Sequence, residues 1–507
     1  MDSNGKIIAS SAANYEKDLG SKLNTISPEI TQDAKMWTRA IIFALEKLKE
    51  NHPKFDFQSV VGISGCGQQH GSVYFKSDKF PKIEEILDDD KADDFFLFNG
   101  DSPIWMDTST QNECNFIESQ IAGGRDMLKE RTGSYAFTRF TASQILKRTK
   151  ICGKNEIKKI CLVSSFVPSL LTEKFCPIDY ADGSGMNLLN LKLKKWDKEI
   201  SEIIGLDSSS LDDTLKSPCS PTTNFGFISD FWCRKFDFNP KKCQIISFTG
   251  DNPSALIGTG GIKVNTCIIS LGTSDTIFLN LGQNLPKNSK QAHIFCSPIN
   301  DSDFMALCCY RNGSLVRENL LKENNIELNQ ENWDKVSKIL MNPGGAVDLD
   351  LKSFSMRFDL KEITPNLGPD FQRTFSAKET EDGHNIPFEQ KIYNLINGQF
   401  IAKRAHIQKF LNLPKIEKLI VTGGASKNLG IVQMISNVFQ CPVFSNKNSS
   451  EAAAFGGCLK AAYVITGEFF EPELELLAEP DRKLFEMYEN LVETYLELEE
   501  DFLKNVQ

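Results

Sequence analysis

Residues 244–258 read QIISFTGDNPSALIG: an apolar run, a glycine, then Asp251, Asn252 and Pro253 ahead of a second apolar stretch. The pattern predicts a strand ending at Thr249, a tight turn at Gly250, and a helix with Pro253 in its first turn, where a missing N–H costs nothing. Asp251 then stands at the carboxyl end of a strand, the edge where ligands bind in open α/β sheets. It also stands at the positive end of a helix, which should keep its carboxylate ionised and able to take a proton from a hydroxyl. The same residue would serve equally as a plain helix cap.

Five further segments have comparable potential. Residues 268–276, IISLGTSDT, predict two β arms around a Gly272-Thr273-Ser274 turn. Its backbone N–H groups and hydroxyls can face an anion, although a simple hairpin would look the same. Residues 419–428, LIVTGGASKN, predict a strand, the paired glycines Gly423 and Gly424, and a helix. Such glycines let a flat ring or a phosphate approach the backbone, or merely make a tight turn. Neither segment is a G-x-x-x-x-G-K-[ST] or G-x-G-x-x-G loop. Residues 60–74, VVGISGCGQQHGSVY, place Gln68, Gln69 and His70 between two β arms, where they can hydrogen-bond a polyol or act as core residues. In residues 102–109, SPIWMDTS, Trp105 is either an apolar wall for a sugar or a packing residue. In residues 137–145, FTRFTASQI, Arg139 either holds a hydroxyl or lies on the surface.

The elements that must position these groups alternate along the chain. Strands are expected at residues 59–63, 160–164, 243–248, 266–271, 276–281 and 418–422. Helices are expected at 34–51, 191–204, 254–258, 313–323, 388–410, 429–439 and 451–466, with a charged amphipathic helix over 480–507. This alternation implies an α/β fold. A Gly-Thr-Gly-Gly stretch near 258–263 suggests a boundary, giving domains 1–261 and 262–507. A coarse duplication of the hairpin-and-turn unit is compatible with this. Residues 3–15 read as one β arm after an Asn4-Gly5 turn, a strong hairpin signal, with no preceding arm.

The 507 residues carry 57 Lys and Arg against 67 Asp and Glu, a net charge of −10. That balance excludes general attraction to a nucleic-acid backbone or an anionic membrane. No apolar run reaches the ~18 residues of a membrane span, and the N-terminus carries no export signal. Fourteen cysteines without any C-x-x-C spacing read as reduced thiols, so a cytoplasmic location is expected.

Seven stretches recur in a recognisable order: Gly-Gln-Gln-His-Gly (67–71), Trp-Met-Asp (105–107), Thr-Arg-Phe-Thr (138–141), Asp-Gly-Ser-Gly-Met-Asn (182–187), Thr-Gly-Asp-Asn-Pro (249–253), Ser-Leu-Gly-Thr-Ser (270–274) and Thr-Gly-Gly-Ala-Ser-Lys-Asn (422–428). Together they resemble the FGGY family of carbohydrate kinases. The resemblance implies two actin-like (ribonuclease H-like) domains with a cleft between them, the first binding sugar and the second ATP. It implies that Asp251 is the catalytic base, and that His70, Arg139, Asp251 and Asn252 hold a ketose. It makes Gly272, Thr273 and Ser274 a phosphate turn. Gly424, Ala425 and Asn428 would contact the nucleotide, Gly423 would permit the turn, and Trp333 would lie against ATP. Mg²⁺ would accompany ATP, with much of its shell made of water. The implied substrate is D-xylulose, converted to its 5-phosphate for the pentose phosphate pathway. A kinase for another polyol or ketose and a catalytically impaired sugar-binding protein are the alternatives. The implied partners are sugar and ATP, with no nucleic acid or membrane, in a monomer or homodimer.

One departure accompanies the resemblance. The family opens with a strand and a phosphate loop of the type Asp-x-x-Thr/Ser-x-x-x-Lys just before the arm that here begins at Asp2, and this sequence lacks it. The expectation is that the chain as written transfers phosphate poorly.

Overall fold

The computed structural model describes residues 1–286, 292–341, 348–376, 386–411, 416–448 and 451–506, the side chains of 409–411 and 505–506 apart. Two compact units are formed. The first joins Met1–Gly258 with Ile294–Phe304 and Glu451–Glu471, and the second joins Thr259–His293, Met305–Ser450 and Pro472–Gln507. Both differ from contiguous halves because two later segments pack into the first unit. The helix Ala452–Thr466 shows why. A Cβ on its Gly456 would lie 2.0 Å from Ser254 O, and one on Gly457 would lie 2.5 Å from Gly65 Cα. Backbone therefore meets backbone, a contact only glycine permits.

In the first unit, helix α1 (Ala34–Asn51) starts at Asp33, whose side chain accepts from Lys35 N–H. It buries Met36, Trp37, Ala40 and Ile42 in a core that also takes Phe75, Phe96, Phe166 and Trp232. Three short strands follow, β1 (Gly62–Ile63), β2 (Cys66–Gly67) and β3 (Ser72–Phe75). Strand β4 (Lys159–Leu162) pairs antiparallel with β3 and runs directly into helix α2 (Val163–Thr172). Strands β5 (Asn224–Phe227) and β6 (Gln244–Ile246) are antiparallel, and β6 lies parallel to β1. Strand β7 (Thr249–Gly250) lies parallel to β2, with Thr249 opposite Cys66 and Gly250 opposite Gly67. Helix α3 (Asp251–Thr259) begins at the next residue.

The second unit has a broader sheet. Strands β8 (Thr266–Leu271), β9 (Asp275–Gly282), β10 (Phe304–Tyr310), β11 (Lys418–Thr422), β12 (Val443–Asn446) and β13 (Leu474–Ala478) lie in the order β10-β9-β8-β11-β12-β13. Strands β8, β11 and β12 are mutually parallel, and β9 and β13 run antiparallel to their neighbours. The central strands read almost continuously apolar, as sheets covered on both faces do. Helices α4 (Ser314–Glu323), α5 (Gln330–Met341), α6 (Phe388–Leu411), α7 (Leu429–Phe439) and α8 (Phe485–Val506) complete this unit. Within it α6 packs on α7 and α8, and α5 packs on α7.

Several expected elements differ. Residues 6–10 form no strand. The Asn4-Gly5 turn is present, with Asp2 N–H donating to Lys6 O at 2.9 Å and Gly5 at φ 79°, but the following segment finds no partner strand among the described residues. A strand without a neighbour leaves its backbone groups to water. The helix expected over 191–204 spans only Lys198–Ile203, after a short strand at Lys195–Trp196. Lys194 has φ 52°, and the Asp197 side chain caps the helix by accepting from Ile200 N–H. The strand expected over 160–164 stops at Leu162, and residues 57–59 are a 3₁₀ turn.

The close helix crossing yields a stability prediction. A Cβ on Gly258 would lie 1.9 Å from Ala452 O and 2.7 Å from Gly456 N, and backbone cannot rotate away as a side chain can. Gly258→Ala should cost roughly 3 kcal/mol, the upper range of overpacking, read as a lowered urea midpoint with an unchanged slope.

Candidate active site

The parallel β2–β7 pair sets two loops side by side. After β2 come Gln68, Gln69 and His70; after β7 come Asp251 and Asn252. Asn252 N–H donates to Asp251 Oδ1 at 2.8 Å, and Asn252 Nδ2 donates to Gln69 Oε1 at 2.8 Å and to Asp251 Oδ1 at 3.2 Å. The helix start does not dominate the Asp251 carboxyl as expected. Burial raises its pKa above the ordinary aspartate value, partly offset by backbone hydrogen bonds from Asn252 and Gln69. Loss of solvation here outweighs the dipole, whose effect is small beside that of desolvating a charge.

His70 is buried at 7 % exposure with φ 69°. Its ring stacks on Phe140, with centroids 4.4 Å apart. Nδ1 lies 2.9 Å from Gly185 O, and a carbonyl can only accept, so Nδ1 carries the proton. Nε2 is then a bare acceptor, suited to receive a hydroxyl hydrogen. Burial, and then the positive charge of Arg139, push the His70 pKa down to about 3, so the ring is neutral at physiological pH. The Arg139 guanidinium lies 5.3 Å from the Phe137 ring centre and 5.6 Å from that of Phe140. The structure thus gathers His70, Arg139, Asp251 and Asn252 around Gln69 and Phe140. Trp105 remains 53 % exposed. Its neighbour Asp107 is buried, accepting from Ile30 N–H, Ser109 and Gln144 as a structural anchor.

In the second unit the other group of residues meets at the carboxyl ends of β8 and β11. Ser270 pairs with Thr422 in register, so the 272–274 turn and the 423–424 turn are neighbours. Gly423 has φ 85°, and a Cβ there would sit 2.3 Å from Leu271 O; no other residue fits. Thr273 and Ser274 are exposed, as are Gly423 and Gly424. Gly272 O accepts from Ser314 N–H at 2.9 Å, tying the turn to the start of α4. Behind it Asp275 is fully buried between Arg317 at 2.8 Å and Lys403 at 3.1 Å. Ala425 lies in a short 3₁₀ turn. Both ends of the Asn428 side chain are engaged: Oδ1 accepts from Ile431 N–H, and Nδ2 donates to Trp333 O at 2.9 Å. Asn428 therefore couples α7 to α5 and places Trp333 beside the glycine turn.

Sequence reasoning placed Gln69 in a polar cluster able to hydrogen-bond a polyol, and assigned no individual role to Asp182, Asp179 or Lys460. Asp182 is 1 % exposed, and its Oδ2 lies 2.5 Å from Ser164 Oγ. Asp179 and Lys460 are both shielded from water, 3.7 Å apart. The available signal was two aspartates three residues apart in DYADGSG, together with a lysine in an otherwise apolar helix.

A buried neutral histidine makes stability depend on acid. In the unfolded chain His70 takes a proton below about pH 6.5, whereas in the fold it stays neutral down to about 3. The unfolded state is favoured progressively between those values. At pH 5 the cost relative to pH 8 is about 2 kcal/mol. His70→Gln should shrink the difference in unfolding free energy between pH 8 and pH 5 by that amount.

Residues 99–258 match the FGGY family of carbohydrate kinases, N-terminal domain, and residues 267–465 match the C-terminal domain of the same family. The chain is 35 % identical over 497 residues to a xylulose kinase of Rattus norvegicus, covering 94 % of this chain and 88 % of that one. It is 32 % identical over 487 residues to xylulose kinase 2 of Arabidopsis thaliana, covering 91 % and 84 %. Among solved structures, it is similar to the ligand-bound xylulose kinase of Lactobacillus acidophilus, with a TM-score of 0.78, 18 % identity, and 99 % and 95 % coverage. The Plasmodium falciparum glycerol kinase with ADP gives a TM-score of 0.73 at 14 % identity, covering 94 % and 92 %. The α/β, two-domain actin-like fold class read from the sequence holds. The chain belongs to the FGGY family of carbohydrate kinases.

Proposed function

We propose that the protein transfers the terminal phosphate of ATP to a hydroxyl of D-xylulose, with Asp251 as the base. One observation carries this reading: a desolvated carboxylate at the start of α3, flanked by the Asn252 amide and close to a neutral histidine whose Nε2 can only accept. A sugar hydroxyl needs an acceptor for its proton as it attacks phosphorus. A ketose also offers further hydroxyls that the neighbouring groups can orient. Curated relatives named xylulose kinase, 30–35 % identical over most of the chain, support the choice of sugar.

The role of each residue follows from its chemistry. Asp251 accepts the proton. His70 Nε2 accepts from one hydroxyl of the bound ketose, Arg139 donates to its oxygens, and Asn252 holds both Asp251 and the sugar. In the second domain, Gly272, Thr273 and Ser274 offer N–H and hydroxyl donors to phosphate oxygens, the kind of preorganised stabilisation that phosphoryl transfer depends on. Gly423, Gly424 and Ala425 leave room for the nucleotide beside Trp333, and Asn428 holds that wall in place. Among the described residues, no three His, Cys, Asp or Glu side chains gather as a metal cage. Mg²⁺ would accompany ATP, held through its phosphates with much of its shell made of water, and its contribution there is neutralisation of phosphate charge. Product consumption by a pentose-phosphate route and a cytoplasmic setting complete the reading.

Asp251→Asn should lower kcat by about 10²–10⁴ while changing the sugar Kd far less, measured by coupled ADP release and by calorimetry. Because burial raises the Asp251 pKa, the acid limb of kcat/KM should lie above the ordinary aspartate value of about 3.9. Activity should fall as pH drops through it. His70→Ala and Arg139→Ala should each raise the sugar KM by about 5- to 150-fold, equivalent to 1–3 kcal/mol for a buried polar partner left unpaired, with the ATP KM nearly constant. A panel of D-xylulose, D-ribulose, glycerol and gluconate tests the sugar assignment, and preferential turnover of any of the other three would overturn it.

A further inference from the structure

Beneath the Gly250 turn lies a set of ionisable side chains with no part in the chemistry so far: Asp179, Asp182, Lys460 and Cys66. Gln69, 2 % exposed, stands between them and the base. Its Oε1 accepts from Asn252 Nδ2 at 2.8 Å, and its backbone N–H bonds to the Asp251 carboxylate. Its Nε2 interacts with the Asp182 carboxyl, and Gln69 Nε2 and Asp182 Oδ1 are both buried without a hydrogen bond of ordinary length. These groups share one space only because residue 250 lacks a side chain. A Cβ on Gly250 would sit 2.5 Å from Gln69 Cγ and 2.6 Å from Asp182 Oδ1.

Resting on the kinase reading above, we propose that Gln69 and Asp182 are positioning residues for the base. The Gln69 amide, anchored on Asp182, holds the Asn252 side chain and with it the direction of the Asp251 carboxylate.

The charge inventory fits this arrangement. Three carboxyls face the space (Asp179, Asp182 and Asp251) with one ammonium, Lys460. The Cys66 thiol is kept protonated by burial, its pKa pushed up to about 12. One ammonium balances one carboxylate, and Asp179 is the one beside it. Asp251 takes its stabilisation from backbone N–H groups. Asp182 has neither; burial and then the Asp179 charge hold its pKa well above the ordinary value. Its Oδ2 accepts from Ser164 Oγ at 2.5 Å, leaving Oδ1 as the acceptor that Gln69 Nε2 faces. An asparagine at 182 would present the same acceptor to Gln69 Nε2, with its own Nδ2 toward Ser164 Oγ, a hydroxyl that can turn to accept.

The test compares three variants of the full chain. Gln69→Met keeps the volume and removes both amide ends, and kcat should fall about 10- to 100-fold, the scale of a misplaced reacting group, with the ATP KM unchanged. Asp182→Asn should keep kcat within about threefold and leave the acid limb of kcat/KM in place. Asp182→Ala should lose activity as Gln69→Met does. Wild-type kcat in Gln69→Met would overturn the proposal. So would equal damage from Asn and Ala at 182. If the wild-type chain phosphorylated no sugar in the panel, the kinase reading would fall; a wild-type chain that turns over beside an equally active Gln69→Met sinks the positioning role alone.

Discussion

The parallel register of Cys66 with Thr249 and Gly67 with Gly250 is the constraint on which the first unit's chemistry depends. Two residues of pairing join segments far apart in the chain, and each segment leaves the pair with its polar residues at once. Gln69 and His70 follow one strand, Asp251 and Asn252 the other. A slip of one residue would turn each side chain to the opposite face. Glycine enforces the register: a Cβ on Gly67 would lie 2.4 Å from Ser164 N, and one on Gly65 2.7 Å from the Phe248 ring. The strands are short, so their stability comes from the aromatic core around Phe75, Phe166 and Trp232 more than from ladder hydrogen bonds.

The second unit solves a similar problem with longer strands. Five residue pairs between β8 and β11 bring the turns after Leu271 and after Thr422 together. What holds the first turn from behind is electrostatic. A buried carboxylate is tolerated only with partners, and Asp275 has Arg317 and Lys403, both nearly inaccessible to water. Arg317 also donates to Gln399 Oε1 at 2.7 Å, and Gln399 Nε2 donates to Asn312 O and Gly313 O. The turn is thus bolted to α4 and α6 by charged groups that cannot leave without exposing another buried charge.

The two units use burial differently. Around Asp251, desolvation shifts the titrations: His70 is held neutral, and the Asp251 and Asp182 carboxyls are both raised. Three acidic groups so close together would repel strongly if all were ionised. Behind the 272–274 turn, opposite charges are matched, and the turn itself exposes backbone and hydroxyl groups.

The local chemistry was legible in the sequence wherever it depends on neighbours along the chain. Strands 266–271 and 418–422 and helices 34–51 and 429–439 coincide with the observed elements, because apolar periodicity and the caps at Asp33 and Asn428 are local signals. Glycine-flanked residues His70, Asp251, Thr273 and Gly423 stood out for the same reason, and the ordered motifs pointed to the family. Tertiary structure alone decided the rest. Residues 6–10 have strand composition but no partner strand among the described residues, and they form none. Glu451–Glu471 joined the first unit because two glycine-lined helices meet backbone to backbone, a contact invisible in either sequence alone. Gln69 stood out as a polyol-binding candidate, but its link to Asp182, and any significance of Asp182 and Lys460, emerged only when folding removed them from water, since desolvation and the partner across a buried space depend on residues more than a hundred positions away.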